Sequence, residues 1–269
     1  MENATPMLRQ YLEIKKLYPG TLLFFRLGDF YELFNEDAIV GARELQITLT
    51  ARQKDSANPV PMCGVPHHAA SNYIARLVRK GYRIAICEQA EAAQKGVKLV
   101  KREVVRVITP GTAIDPQLVE ANDSIYLASV CGIGETFGAA FLDVSTGEFS
   151  ATEISGGDAW QKTCERILSY SPRELIFPAS IENLVKSEFG GRDRGELFSN
   201  DSSEPSPSSS LTLTSVDDDK FERQGGESLL KLQFNVRELT GFGIGSKNEA
   251  IRAAGAAVRY AIETQKASA

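Results

Sequence analysis

An apolar segment near the start of the chain, Thr21–Leu27, constrains the fold more than any other feature. It has no 3.6-residue period, and so short an apolar run is typical of a strand that is buried on both faces. Gly28 and Asp29 follow it, and both residue types favour turns. The next segment, Phe30–Phe34, combines aromatic side chains with a carboxylate. The sequence therefore places candidate functional side chains at the end of a central strand.

A purely structural role is the main alternative for this second segment. Phe30, Leu33 and Phe34 have the i, i+3, i+4 spacing of side chains that pack together into a core. Considered by pattern alone, the core role is favoured for all three residues.

Alternating helix and strand patterns predict a mixed-sheet α/β first domain at residues 1–116. Helices are expected after Pro6, after Asn35 as an N-cap, and after Pro66. Residues 52–61 are polar and are expected to form an exposed loop. The other strands of this domain are expected at residues 47–51, 83–87 and 103–109.

A linker at residues 117–121 is expected to lead to a second domain at 122–269. Its start predicts a three-stranded meander, and helix, strand and helix patterns follow it. A Ser-rich, low-complexity segment at 199–210 is expected to be a mobile loop. The last helix is expected to begin with a capping box at residues 246–249 and to present a small-residue face to the sheet. The meander strands are expected at 124–131, 136–143 and 147–153, and the next elements at 160–168, 174–177 and 181–189.

Charge is divided unevenly along a chain whose formal net charge is −5. Residues 1–121 contain 16 Lys and Arg against 13 Asp and Glu, whereas the remainder contains 14 against 22. Residues 76–106 contain nine basic and three acidic side chains. Since phosphate contact requires local rather than overall positive charge, the first domain is the better candidate for nucleic-acid contact.

Metal binding and membrane insertion are not expected. The four cysteines form no C-x-x-C pair, and only two histidines accompany them. These histidines, His67 and His68, are adjacent and point in different directions, so a capping or packing role is favoured. No signal sequence and no run of 18 apolar residues is present. We therefore expect a soluble, cytoplasmic protein.

Four separated segments resemble the MutS family of DNA mismatch-repair proteins, and the resemblance covers essentially the whole chain in collinear order. Three resemble the family's opening domain, and the fourth resembles the end of its connector domain. The resemblance implies a mismatch-recognition domain followed by a ribonuclease H-like α/β connector domain. The segments are 22–34 (LLFFRLGDFYELF), 59–69 (PVPMCGVPHHA), 104–112 (VVRVITPGT) and 232–243 (LQFNVRELTGFG).

The resemblance also implies a reader of mispaired bases. The family's Phe-x-Glu triplet falls here on Phe30 and Glu32. Phe30 would be a wedge inserted from the minor groove, at a lower cost where bases are poorly stacked, and the resulting kink would bring more DNA backbone onto the protein. Glu32 would hydrogen-bond the displaced base. If it faces a base acceptor it must be protonated, so DNA binding should raise its pKa.

Seven basic residues are candidates for phosphate contacts, because of their charge and expected loop positions. For each of them a solvated surface role is about equally favoured. Arg52 is the strongest candidate, since it ends the strand expected at 47–51 before a loop expected to face DNA. The seven are Arg52, Lys54, Arg76, Lys95, Lys98, Lys101 and Arg102.

No enzymatic activity is expected of this chain, which contains no G-x-x-x-x-G-K-[ST] phosphate loop. The resemblance implies an N-terminal fragment, with ATP and Mg²⁺ needed only by an ATPase domain outside it. Neither a cofactor nor a metal is expected here. The implied partners are mismatched double-stranded DNA, a MutL-type protein at the connector and, for the full-length protein, a second copy in a homodimer.

Two other functions remain open at this point. One is a metal-dependent, ribonuclease H-like nuclease, which would require several carboxylates to converge on Asp143. The candidates are Glu148, Glu153 and the three aspartates at residues 217–219. Asp143 as the first residue of a turn is the favoured interpretation. The other function is a protein–protein interaction module only.

Overall fold

The computed structural model describes residues 5–52, 59–90, 100–113, 125–190 and 211–265. Within them, residues up to Thr109 form most of one compact unit, and residues 110–113 and 125–263 form a second. Residues 110–113, which the sequence-based division places in the first domain, thus group with the second unit. The predicted linker at 117–121 and the Ser-rich segment at 199–210 lie outside the described residues.

The first unit is built on a six-stranded mixed sheet with the strand order β3-β4-β2-β1-β5-β6. Strands β1 and β5 are parallel, and the other neighbouring pairs are antiparallel. The strands are β1 (Thr21–Leu27), β2 (Phe30–Phe34), β3 (Thr50–Arg52), β4 (Val60–Pro66), β5 (Arg83–Gln89) and β6 (Arg102–Ile108). The helices are α1 (Pro6–Leu17), α2 (Asn35–Leu45) and α3 (Ala70–Arg79).

Helices cover both faces of this sheet, as the buried character of β1 predicts. On one face, the Tyr11 ring of α1 makes edge contacts with Phe25 and Phe34, at centroid distances of 5.5 and 5.0 Å. On the other face, Gly41 of α2 lies against the side chains of Leu33 and Cys63. The core of this unit therefore consists of two apolar layers separated by β1 and β2.

A buried carboxylate connects three elements of the first unit. Asp37, at the start of α2, is only 5% exposed. It accepts hydrogen bonds from Lys15 Nζ (2.7 Å), the Tyr11 hydroxyl (2.8 Å) and the backbone amide of Leu23 (3.0 Å). The Tyr11 hydroxyl in turn lies 3.4 Å from the amide nitrogen of Phe34. Helix α1, strand β1 and the far end of β2 are therefore tied to one side chain.

The structure corrects three expectations for the first unit. Strand β4 begins within the expected exposed loop at 52–61 and was not predicted. Strand β3 covers Thr50–Arg52, not 47–51. Asn35 does not cap α2: Phe34 is the N-cap, without a side-chain bond, and Asn35 has a φ of +53°.

The second unit contains a five-stranded mixed sheet with the order β11-β10-β7-β8-β9. The predicted antiparallel meander is formed by β7, β8 and β9, and β10 lies parallel to both β7 and β11. This arrangement agrees with the expected ribonuclease H-like architecture. The strands are β7 (Tyr126–Ile133), β8 (Thr136–Asp143), β9 (Phe149–Ser155), β10 (Glu174–Pro178) and β11 (Thr212–Val216).

In the described residues, four α-helices complete the second unit, and two of its elements were not predicted. The helices are α4 (Ala159–Tyr170), α5 (Glu182–Phe189), α6 (Arg223–Gln233) and α7 (Asn248–Gln265). Strand β11 and helix α6 are the elements that sequence patterns missed. None of the helices in the described parts of the chain is long and apolar enough to cross a membrane.

Helix α7 packs closely on the sheet through small residues, as predicted. A Cβ atom added to Gly138 of β8 would lie only 2.0 Å from the carbonyl oxygen of Glu249. The predicted capping box is wrong, because the Glu249 carboxylate binds Arg252 NH1 at 2.7 Å. Glu153 of β9 caps the helix instead, since its carboxylate accepts from the backbone amides of Glu249 (2.7 Å) and Ala250 (3.4 Å).

A second buried carboxylate, Glu174 on β10, is completely shielded from solvent. It accepts hydrogen bonds from the backbone amide of Gly111 (3.0 Å) and from the hydroxyls of Thr214 and Tyr260 (both 2.7 Å). These donors provide the partners that a buried carboxylate requires. Gly111 is thereby held within the second unit.

Replacing Asp37 with Ala is expected to destabilise the first unit by about 3 kcal/mol, because two buried donors and a lysine lose their acceptor. The neighbouring exposed residue provides the control, and Glu36→Ala should cost well under half as much. Urea unfolding followed by far-UV circular dichroism measures the change. Fluorescence of Trp160, the only tryptophan, reports on the second unit in the same experiment. A loss for Asp37→Ala no larger than that of Glu36→Ala would contradict this role.

Candidate nucleic-acid interface

A tight hairpin brings the Phe-x-Glu segment to the surface. Strands β1 and β2 are joined by Gly28 and Asp29 alone, and Leu27 pairs directly with Phe30. Gly28 has a φ of +57°, a conformation that glycine adopts without the steric cost of a side chain. The turn therefore makes Phe30 the first residue of β2, at the edge of the core.

Phe30 is 46% exposed, whereas Tyr31, Leu33 and Phe34 are buried. Side chains alternate between the two faces of a strand, so Phe30, Glu32 and Phe34 share one face of β2. Tyr11 of α1 packs on the ring of Phe34, at the opposite end of the strand from Phe30. The core prediction is correct for Leu33 and Phe34 but wrong for Phe30, because the segment is a strand with a period of two.

Glu32 is a partly buried carboxylate beside a single described cation. Its side chain is 20% exposed, and its Oε2 atom accepts from Arg52 NH1 at 3.3 Å. Burial raises the pKa of Glu32, and the positive charge of Arg52 offsets only part of this effect. Protonating this carboxyl therefore costs less free energy than protonating an ordinary surface glutamate.

Tyr31 fixes β2 from the opposite face. Its hydroxyl donates a hydrogen bond to the carboxylate of Glu88 on β5. Its ring lies 5.4 Å from the ring of His67, whose backbone amide donates to the carbonyl of Asp29 at 2.8 Å. The side chain of His67 thus contacts an aromatic ring, in line with the packing role considered above. Both faces of β2 are therefore held at several points, although Phe30 itself is exposed.

The predicted phosphate-contact residues do not all lie together. Arg52 lies beside Glu32, whereas Arg76 is exposed on α3, in the helical layer on the other side of the sheet. Lys101 is exposed and forms an ion pair with Glu103. Three of the predicted residues, Lys54, Lys95 and Lys98, lie outside the described residues.

The prediction of a phosphate contact is wrong for Arg102. Its residue exposure is only 8%, and its guanidinium donates to the carbonyls of Arg26 (2.8 Å) and Val100 (3.0 Å) and to the side chain of Gln10 (3.1 Å). The same group lies over the Phe25 ring at 4.9 Å. Arg102 therefore stabilises the core of the first unit.

The carboxylates considered for a nuclease have structural partners instead. Asp143 Oδ1 accepts from the amide (2.9 Å) and hydroxyl (2.6 Å) of Ser145 and from the amide of Thr146 (3.2 Å), as a turn-forming aspartate does. Glu153 caps α7, and Glu148 accepts from the Tyr126 hydroxyl at 2.7 Å. Across the described ranges, no group of three or more His, Cys, Asp and Glu side chains could hold a metal ion.

Both parts of the chain match models of known protein domains. The model described as MutS domain I matches residues 5–117, and that of MutS domain II matches residues 125–269. The two matches define the chain as a two-domain segment of MutS type. The mixed sheets of its two units agree with this class. The chain belongs to the MutS family.

Curated relatives support this assignment along nearly the whole chain. Proteins named DNA mismatch repair protein MutS from Solibacter usitatus and Myxococcus xanthus are 43% and 44% identical over 267 and 270 residues, which is 99% of this chain in each case. The protein of that name from Syntrophobacter fumaroxidans is 44% identical over 97% of it. The chain spans only 27–28% of the length of these three relatives.

The exposure of Phe30 predicts a small effect on stability. Phe30→Ala is expected to change the free energy of unfolding by less than about 1 kcal/mol, whereas Leu33→Ala on the same strand should cost about 2–5 kcal/mol. Urea unfolding of the two variants under identical conditions compares them directly. Equal losses would show that Phe30 is a core residue after all.

The raised pKa of Glu32 predicts a pH-dependent stability. Because the folded pKa lies above the unfolded one, the stabilising contribution of this group is present at low pH and is lost as the pH rises through the folded pKa. Glu32→Gln removes the titration, so it should raise stability at neutral pH, and the gain should shrink as the pH falls toward about 4. Thermal melts across this pH range measure the difference.

Arg52→Gln is the matched control for this experiment. It removes the charge that lowers the Glu32 pKa, so its stability at neutral pH should fall. In the double variant Glu32→Gln, Arg52→Gln, the pH dependence of stability that arises from Glu32 should disappear. A Glu32→Gln variant that is less stable than wild type at neutral pH would show that the ion pair outweighs desolvation.

Proposed function

We propose that this chain recognises mispaired and unpaired bases in duplex DNA as the first step of DNA mismatch repair. One observation carries the proposal: an exposed phenyl ring, Phe30, stands two residues from a partly buried carboxylate, Glu32, on the same face of a fixed strand. Membership of the MutS family supports the same function, as do relatives that are named DNA mismatch repair proteins.

The proposed role of Phe30 is that of a wedge. An apolar side chain inserted from the minor groove partly unstacks a base step, and the cost is lower where the bases are already poorly stacked. Such a wedge must keep its position when it contacts the stacked bases. Strand β2 meets this requirement, because Tyr11 holds its Phe34 end and the Tyr31 side chain anchors its opposite face. Deformability of the DNA then becomes the property that is read.

The proposed role of Glu32 is a hydrogen bond to the displaced base. An ionised carboxylate is repelled by phosphates and can only accept, whereas a protonated one can donate to a base acceptor. The raised pKa of Glu32 in the free protein reduces the cost of this protonation. Phosphates near Arg52 would compete for its guanidinium and favour the protonated state further.

Phosphate contacts are proposed to come mainly from Arg52, with Lys54, Arg76, Lys95 and Lys98 as further candidates by charge. Contacts of this kind position a protein on DNA without reading its sequence. The exposure of Arg52 beside Glu32 supports its role.

The second unit is proposed to be the connector between this reader and the ATPase and clamp parts of a longer protein. ATP, Mg²⁺ and ATP hydrolysis are assigned to those parts, and this chain is proposed to bind no cofactor and to catalyse no reaction. A MutL-type partner at the connector, a homodimer of the full-length protein and a cytoplasmic location complete the proposal.

Titration of the 269-residue chain with matched and G·T-containing duplexes, at two salt concentrations, tests the reading function. Wild type should bind the G·T duplex more tightly, and Phe30→Ala should remove this preference while the protein stays folded. Arg52→Gln should weaken binding to both duplexes and reduce the salt slope by about 1, whereas the exposed control Arg237→Gln in the second unit should not. Equal binding of both duplexes by wild type would overturn the proposal.

Substitutions of Glu32 are a further part of the same test. Glu32→Gln keeps a donor and removes the charge, so it should bind matched DNA more tightly while its affinity for the G·T duplex is retained. Glu32→Ala should lose both the base contact and the preference. If neither variant changes the ratio of the two affinities, Glu32 does not contact the base.

A further inference from the structure

Gly64 lies within β4, directly opposite Glu32 of β2. Its backbone conformation does not require glycine, since its φ is not among the positive values of the chain. A glycine inside a strand is unfavourable, because it loses more conformational freedom than other residues, and it often marks a place where a ligand approaches the backbone closely. The residue is also partly accessible to solvent. It therefore needs an explanation other than backbone geometry.

The surroundings of Gly64 provide that explanation. A Cβ atom added to it would lie 3.5 Å from Cγ of Glu32 and 3.8 Å from Cδ1 of Phe30, besides 3.3 Å from the carbonyl oxygen of Tyr31. Two of these three neighbours are the side chains of the proposed reader. The strand glycine Gly138 is different, because its added Cβ would collide with the backbone of α7.

We propose that Gly64 is a specificity-determining position for mismatch reading. The proposal rests on the function proposed above. Directly opposite residues of an antiparallel pair project from the same face with Cβ atoms about 5 Å apart. A side chain at residue 64 would therefore stand beside the Glu32 carboxyl and the Phe30 ring edge. Its absence leaves an open slot between them, which the edge of the displaced base enters when it contacts Glu32.

The distances from the added Cβ atom to Glu32 and to Phe30 indicate that the slot can be filled without unfolding the protein. Contacts of 3.5 and 3.8 Å are ordinary for a methyl group, and the 3.3 Å contact with Tyr31 requires a shift of a few tenths of an ångström. Gly64→Ala is therefore a conservative test, and Gly64→Val fills more of the same space with a residue type that favours strands.

Binding of matched and G·T duplexes by the 269-residue chain, together with thermal melts, tests the slot. Gly64→Ala should lower the preference for the mismatch about tenfold, as the loss of one base contact does, with matched-DNA affinity nearly unchanged. Gly64→Val should lower it at least as far. Gly157→Ala is the control, because a Cβ there meets nothing within 4 Å. An unchanged preference in Gly64→Ala would overturn the proposal, as would a large fall in melting temperature in both Gly64 variants.

Phe30→Ala, measured beside the two Gly64 variants, separates this inference from the proposed function. If Phe30→Ala removes the preference and Gly64→Ala does not, the wedge stands and the slot fails. If wild type shows no preference, both fail.

Discussion

The first unit depends on the burial of one carboxylate. Asp37 is nearly removed from water, which would be costly for an unpartnered charge, but Lys15 neutralises it and two further donors complete its hydrogen bonds. Because one of those donors, Tyr11, also meets the backbone of Phe34, the ion pair holds the strand that carries the proposed reader. Phe30, the proposed wedge, is thus supported from the buried end of its own strand.

Periodic segments were predictable from the sequence, and segments held mainly by their neighbours were not. Strand β1, the meander and helix α4 follow from apolar patterns that are visible locally. Strand β4 contains Pro61, Gly64 and Pro66, which argue against a strand, yet it pairs with β2 and β3 on either side. Helix α6 contains a Gly-Gly pair, Gly225 and Gly226, in its first turn, which lowers its local helix propensity.

The candidate site was predictable only in part. Phe30 and Glu32 were identified by resemblance, while local spacing favoured a core role for Phe30. Its exposure follows from the position of the turn and of α1, which is a property of the topology. Charge suggested Arg52 and Arg102 alike, because composition does not show that carbonyl groups converge on the Arg102 guanidinium.

The hydrogen bond from Gly111 to Glu174 has a consequence for how the chain can be divided. A fragment that starts at the boundary near residue 116 would lack the backbone amide that the fully shielded carboxylate uses. Glu174 would then keep only the hydroxyls of Thr214 and Tyr260. A fragment that contains the second unit alone should therefore begin before Pro110. It then includes the backbone amide of Gly111, which donates to the buried carboxylate.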